Sequence, residues 1–351
     1  MIRDKKLQIE DKIISESSPC FIIGEVAQAH DGSLGIVHSY IDSIADAGAD
    51  AVKFQTHIAE DESTPEEPWR IKFSKQDETR YDYWKRMEFT PYQWKGIKQH
   101  CDDRNIIFLS SPFSESAVEL LSNLGIKAWK VASGETNNIP LIKKLINTDL
   151  PILFSSGLST IEELGKITSL CKDNNLPHGI FQCTTAYPCP PEKVGLNILQ
   201  VLKKKFNCPV GLSDHSGEIF SGLGSIPLGA NMLEVHVTYH KNMFGPDVKS
   251  SLDLNQFRTL IKGVRFIEKI LNNPVDKLDL SKTALGLKET FGKSLIAKKE
   301  IPANTPLRVD HLSFKKPGTG ISVTDYEKYL DKLTIKSIGK NTILKPQDFK
   351  L

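Results

Sequence analysis

Long apolar runs are missing from this 351-residue chain. No window approaches the roughly 20 apolar residues of a membrane-spanning helix. The opening stretch MIRDKKLQIEDKIISESSPC has no apolar core of the length a secretion signal needs. A membrane role and export are therefore not expected, and the expected compartment is cytoplasmic. A dominant charge is missing too: 45 Lys and Arg against 43 Asp and Glu leave +2, so no broad field favours nucleic acid or an anionic membrane. Any anionic ligand must be held by local residues. The six cysteines, at positions 20, 101, 171, 183, 189 and 208, contain no CxxC pair and no regular framework, so they read as reduced packing residues. No GxGxxG follows the first apolar run, which disfavours a dinucleotide-binding fold.

What is present is a rhythm. Short apolar runs recur as FIIGEVA (21–27), AVKFQT (51–56), IIFLSSPF (106–113), AWKVASGE (128–135), PILFSSG (151–157), GIFQCTT (179–185), PVGLSDH (209–215) and MLEVHVT (232–238). Stretches of helical periodicity such as SYIDSIADAGAD and IEELGKITSLCKDNN lie between them. Strand and helix alternating eight times is the pattern of an α/β protein built as a (β/α)8 TIM barrel, expected over residues 1–275. The segment 57–90 is too long for a plain connection and reads as an insertion with a helical end over one face of the barrel. A linker is expected over 276–290. Residues 291–351 change texture to short strands punctuated by Pro and Gly, a compact β-rich module.

Chemistry in such a barrel collects at the C-terminal ends of the strands. Those ends carry Glu25; Lys53 and Gln55; Ser110 and Ser111; Lys130, Ser133 and Glu135; Ser155 and Ser156; Thr184 and Thr185; Ser213 and His215; Glu234 and His236. Alternation along a strand places Lys53 with Gln55, Ser213 with His215, and Glu234 with His236 on shared faces, so all three pairs could point into one mouth. Two lysines among small hydroxyls make a receptor for phosphate or carboxylate. Two imidazoles on neighbouring strands, about 4.8 Å apart, suit a divalent transition metal such as manganese or zinc. Glu25, Glu135 and Glu234 are candidates for proton transfer or for orienting water. Each residue also has a plainer reading: a structural histidine, a snorkelling lysine, a serine capping the next helix. The joint occurrence at all eight strand ends favours the site.

The same residues carry a resemblance. GEVAQAHDGSLG (24–35), AGADAVKFQTH (47–57), KVASGE (130–135), LFSSGLST (153–160), CTTAYP (183–188), GLSDHS (211–216) and GPDVKSSL (245–252) resemble, in order, the motifs of bacterial sialic acid (N-acetylneuraminate) synthases, within the wider family of nonulosonate synthases. KSLIAKKEI and KKPGTGI resemble that family's C-terminal antifreeze-like (SAF, β-clip) module. The resemblance implies condensation of phosphoenolpyruvate with an N-acylated mannosamine-type sugar, releasing phosphate by C–O cleavage. It implies a divalent metal, manganese first, with magnesium or cobalt as alternatives. It further implies a domain-swapped homodimer in which the small module caps the partner's barrel. On this resemblance Lys53, Lys130, Ser111, Ser133, Ser155 and Ser213 match positions around phosphoenolpyruvate, and His215 and His236 match the metal ligands. Gln55, Glu135, Tyr187 and Asp247 match positions near the sugar, and Glu25 a catalytic carboxylate. Glu234 joins Glu25, Lys53 and Glu135 as a catalytic candidate.

The chain departs from the family's pattern at four places. Ala29-His30-Asp31-Gly32 replaces Asn-His-Asn-Gly, Val235 replaces the lysine of Glu-Lys-His, and Thr185 stands where asparagine is common. Lys316 stands where an arginine commonly contacts the partner's sugar, and a lysine lacks arginine's planar fork. These changes bear on the sugar and leave the two lysines and two histidines intact. Another phosphoenolpyruvate-dependent aldol-type synthase of the 3-deoxy-octulosonate or -heptulosonate class is the alternative enzyme, though no arginine cluster at the strand ends awaits a second phosphate. A class II aldolase would not carry the C-terminal module. A catalytically inactive sugar-binding barrel is the non-enzyme alternative, and the altered Asn-His-Asn-Gly motif is what keeps it open.

Overall fold

The computed structural model describes residues 6–276 and 282–350. It divides into two units, residues 1–273 and 274–351. The first opens with an antiparallel hairpin, β1 (Leu7–Ile9) and β2 (Lys12–Ile14). Eight parallel strands follow: β3 (Phe21–Glu25), β4 (Ala51–Thr56), β5 (Ile107–Pro112), β6 (Trp129–Val131), β7 (Ile152–Ser155), β8 (His178–Cys183), β9 (Val210–Asp214) and β10 (Met232–Thr238). They are hydrogen-bonded in the order β5-β4-β3-β10-β9-β8-β7-β6, and the two ends of that path, β5 and β6, lie side by side. The result is the nearly closed (β/α)8 barrel that the eightfold rhythm predicts.

Period-two alternation sorts each strand into two faces. The residues facing the barrel interior begin apolar: Phe21, Ile23, Ala51, Ile107, Leu109, Leu153, Phe181 and Met232 form one buried cluster with Leu7, Ile9 and Ile14 of the hairpin. That cluster is the floor. Gly211 is required there, since a Cβ on it would sit 2.7 Å from the Met232 Cβ. One or two alternate residues further along, the same inward rows turn polar, to Glu25, Lys53, Lys130, Ser155, Ser213 and Glu234, all buried. The outward rows join the helices in a larger apolar core that includes Ile22, Val52, Phe54, Phe108, Phe154, Leu233 and Phe257. These helices are capped by their own sequences: Ser33, Thr90, Thr160 and Asp253 each accept a backbone N–H in the first turn.

The insertion after β4 contains two helices, Ala59–Glu62 and Arg80–Met87, with an aromatic cluster of Trp69, Phe73, Tyr83 and Trp84. In the second unit the expected linker falls partly on residues 277–281, outside the described residues. Lys282–Phe291 form a helix. Strands β12 (Ser294–Ala297) and β13 (Leu312–Lys315) pair antiparallel, after a short β11 (Leu252–Asp253) on the barrel's β10. Single bridges such as Ile296–Ile343 and Ile301–Ile338 close the module around Leu295, Leu307, Leu344 and Phe349.

Candidate active site

Register brings the polar rows together. Glu25 pairs with Lys53 on one side and His236 on the other, Gln55 with Ser111, and Ser213 with both Cys183 and Glu234. A charged layer results. The Lys53 ammonium lies 2.7 Å from Glu25 Oε2 and donates to Ser111 Oγ at 3.3 Å. Across the barrel, Lys130 Nζ donates to Ser155 Oγ at 2.5 Å and stands 3.4 Å from Glu234 Oε1, which also accepts from Ser213 at 3.1 Å. The other Glu234 oxygen makes no hydrogen bond among the described residues.

Lys53 and Lys130 are 3% and 2% exposed, so neither snorkels to solvent. Their surroundings split them. Burial disfavours the Lys53 ammonium, but Glu234 and Glu25 outweigh it and the net direction is up. For Lys130 burial wins over Glu234, with Lys53 adding repulsion, and the net direction is down. Burial acts on Glu234 upward, yet Lys130 and Lys53 overcome it and hold its carboxyl below the usual range.

Above this layer are the imidazoles. His215 and His236 have ring centroids 5.2 Å apart, and Tyr187 packs on the first at 4.2 Å. The backbone carbonyl of Thr184 lies 3.0 Å from His215 Nδ1 and fixes that nitrogen as the N–H, which leaves Nε2 with its lone pair. Burial, with His236 next to it, pushes the His215 imidazole down to about 3, so it stays neutral as a ligand must. No cluster of three His, Cys, Asp or Glu side chains suited to an ion occurs among the described residues. His215 and His236 offer two imidazole nitrogens, a ligand type that suits a divalent transition metal when oxygens complete the set.

A cavity of about 420 Å³ opens beside the imidazoles. Gln55, Ser133, Glu135, Thr185, Tyr187, His236 and Asp247 line it. Lys53, Lys130, Ser111, Ser155 and Ser213 lie outside its wall, in the barrel interior, engaged with one another and with Glu25 and Glu234. Burial raises Glu135, which accepts from Asn138 at 2.7 Å. Ser133 accepts from the N–H of Gly157 at 3.1 Å, in a place where a Cβ on Gly157 would come 2.7 Å from the Ser133 hydroxyl. Asp214, on the opposite side of the pleat from Ser213, accepts from Ser216 N and Oγ and braces the turn after β9. Lys316 belongs to the second unit, where its ammonium is 5.1 Å from the Phe291 ring centroid.

The insertion supplies residues that the strand-end argument does not reach. Arg70 donates to Asp247 Oδ1 at 2.7 Å and stacks 4.2 Å from the Tyr187 ring centroid. Arg86 donates to Asp31 Oδ1 at 2.8 Å and so pins the turn Ala29-His30-Asp31-Gly32, where Asp31 and Gly32 have φ of 47° and 78°. Arg80 pairs with Glu67, and Trp84 and His57 line the cavity. His57 had a readable signal, being the next alternate residue after Lys53 and Gln55. Arg70 had none, because its stretch of the insertion has no period, and Arg80 and Trp84 lie on the helical end, whose period does not say where that helix docks.

Known proteins match this chain along its length. The model of the NeuB family matches residues 40–276, and that of the SAF domain residues 292–350. The N,N'-diacetyllegionaminic acid synthase of Campylobacter jejuni is 34% identical over 92% of this chain and 98% of its own length. The N-acetylneuraminate-9-phosphate synthase of Homo sapiens is 33% identical over 85% of this chain and 83% of its own. Among solved structures, N-acetylneuraminic acid synthetase from Leptospira borgpetersenii superposes with a TM-score of 0.71 at 26% identity, covering 81% of this chain and 95% of that one.

Proposed function

The chain belongs to the NeuB family, and from that premise we propose that it condenses phosphoenolpyruvate with the open-chain form of an N-acylated mannosamine-type sugar. It is an enzyme that forms a C–C bond, giving a nine-carbon 2-keto-3-deoxy acid and inorganic phosphate. One observation carries the assignment of parts: two buried ammoniums, Lys53 and Lys130, stand among Ser111, Ser155 and Ser213 inside a barrel whose strand ends also carry two imidazoles and line a sugar-sized cavity.

In this reading the phosphate and carboxylate of phosphoenolpyruvate take over Lys53 and Lys130 from Glu25 and Glu234, with Ser111, Ser133, Ser155 and Ser213 as further donors. The sugar occupies the cavity against Gln55, Glu135, Thr185, Tyr187 and Asp247. The enol carbon attacks the aldehyde carbon, and the aldehyde oxygen takes a proton from Glu135, whose carboxyl pKa is raised by burial, and becomes a hydroxyl. Water adds to the neighbouring cationic carbon, its lost proton passing to Glu25 or Glu234, and the tetrahedral intermediate collapses by expelling phosphate. A divalent metal held by His215 and His236, manganese first, supplies polarisation of the aldehyde oxygen when bound. Fixed donors at strand ends need little reorganisation as charge develops.

The cavity's charge supports an unphosphorylated sugar. Its two arginines, Arg70 and Arg80, are already paired with Asp247 and Glu67. The same absence of a spare arginine weighs against the octulosonate and heptulosonate class. We further place the enzyme in the cytoplasm, where phosphoenolpyruvate is made, as a domain-swapped homodimer in which Lys316 of the small module meets the sugar bound by a second copy. The test is phosphate release from phosphoenolpyruvate by manganese-loaded protein with a panel of amino-mannose-type sugars. Release that requires one sugar and the metal supports the reading. None with any sugar, in folded protein, overturns it.

A further inference from the structure

His57 extends the row Lys53, Gln55 beyond the end of β4, and it is buried at 5% exposure. Its ring lies between two aromatic plates: Trp84 at 4.0 Å between centroids and 17°, Phe113 at 4.4 Å and 15°. Each ring nitrogen has one polar neighbour. Nδ1 is 2.5 Å from Glu62 Oε1, and Nε2 is 3.2 Å from Gln55 Oε1.

The orientation of the Gln55 amide decides what the ring must do. Gln55 Nε2 donates to Glu25 Oε1 at 3.0 Å, and Gln55 Oε1 accepts from Gln28 Nε2 at 3.1 Å. Turning the amide over would set its oxygen against the Glu25 carboxylate. The oxygen therefore faces His57, and an amide oxygen can only accept. At the far side Glu62 holds its second oxygen on the Ile58 N–H at 3.3 Å and offers the first to Nδ1. Two acceptors, one at each nitrogen, ask for a ring that donates from both.

We propose that His57 carries hydrogen on both ring nitrogens and acts as a positioning residue, locking the Gln55 amide so that Gln55 and Glu25 hold one geometry at the reaction face. The inference rests on the reading of Glu25 and Gln55 as site residues. The aromatic sandwich fits it, because the faces of Trp84 and Phe113 are the negative ends of their quadrupoles and attract a cation. Signs then alternate along one chain of contacts: the Glu62 carboxylate, the His57 ring, the Gln55 amide, the Glu25 carboxylate and the Lys53 ammonium. Glu62 and Trp84 both come from the insertion after β4, so that segment contributes the counter-ion and one plate, beyond covering the cavity.

The experiment is 15N NMR of the full-length protein labelled at histidine, at the pH of the activity assay, with the His57 signals identified by their loss in His57→Phe. Two protonated ring nitrogens are expected, and a ring with one bare nitrogen overturns the proposal. Glu62→Gln, which changes no apolar contact, is expected to return the ring to a single proton; an unchanged signal also overturns it. In kinetics, both variants are expected to lower kcat by ~10–100-fold, as misplacement of a reacting group does, with KM for phosphoenolpyruvate within about twofold. Wild-type kcat in either variant removes the positioning role. If no sugar supports phosphate release by the wild type, the positioning role falls with the proposed function, and the NMR still decides the state of the ring.

Discussion

Lys130→Met should unfold the barrel more easily, and the cause can be isolated. Lys130 is 2% exposed and stands 3.4 Å from a Glu234 oxygen in a buried layer. Removing one member of a buried ion pair costs about 3–5 kcal/mol, most of it the desolvated charge left behind. Glu234 would keep its hydrogen bond from Ser213 at 3.1 Å and part of the field of Lys53, so the lower end applies, ~3 kcal/mol. For a domain of this size that lowers Tm by roughly 6–12 °C. Lys130→Met with Glu234→Gln removes both charges and should return to within ~1 kcal/mol of wild type, about 2 kcal/mol more stable than Lys130→Met alone. All four tryptophans, Trp69, Trp84, Trp94 and Trp129, lie in the first unit, so urea unfolding followed by tryptophan fluorescence reports on the barrel alone. Phosphate release should be lost in both variants, separating charge balance from catalysis. A wild-type urea midpoint for Lys130→Met would mean that Glu234 carries no charge, and the charged-layer argument would fail. A double variant no better than the single would assign the loss to the contact of Lys130 with Phe181, whose ring centroid is 5.0 Å from Nζ.

Four further outcomes are expected. His30 is buried and accepts the Gly32 N–H at 3.0 Å; burial, then His57 and Arg86, push it down to about 3. The unfolded chain protonates this histidine near pH 6.5 and the folded barrel does not, so its contribution is complete above pH 6.5 and declines as pH falls toward 3. Between pH 7 and 5 wild type should lose ~2 kcal/mol through this group, and His30→Asn, which keeps an acceptor, should show a pH dependence smaller by that amount in urea titrations. Gly157→Ala would crowd the Ser133 and Thr185 hydroxyls; steady-state kinetics should show at least ~10-fold lower kcat/KM, with overpacking costing about 1–3 kcal/mol in the same urea assay. A chelator should abolish phosphate release and added manganese restore it. His215→Ala should abolish release without restoration while the thermal transition stays cooperative.

How much of this was legible in the sequence follows from what each residue answers to. The inward rows Phe21-Ile23-Glu25, Ala51-Lys53-Gln55 and Met232-Glu234-His236 each answer to one strand's two-residue period, so the floor, the charged layer and the imidazoles can be read locally. The pairing within the charged layer cannot. Lys130 is on β6 and Glu234 on β10, strands that are not hydrogen-bonded neighbours, and they meet only because the sheet closes into a barrel. Closure is a property of tilt and stagger summed over eight strands, and no segment states it. The insertion is opaque for a different reason. Arg70 reaches Asp247 from a stretch with no regular period, and Arg86 and Trp84 reach Asp31 and His57 from the helix Arg80–Met87, whose own period does not say where it docks.

That division has a consequence for specificity. The legible part, lysines, serines and imidazoles on rigid strands, is the part proposed to handle phosphoenolpyruvate and metal, which any acceptor sugar would share. The insertion after β4 contacts the proposed sugar residues directly: Arg70 holds Asp247 and stacks on Tyr187, and Glu62 and Trp84 hold the histidine that holds Gln55. Side chains on an insertion can be exchanged without disturbing strand register, whereas a slip by one residue in β4 would turn Lys53 out of the barrel. A change of acceptor sugar in this fold is therefore easiest to make in residues 57–90, with the strand ends left as they are.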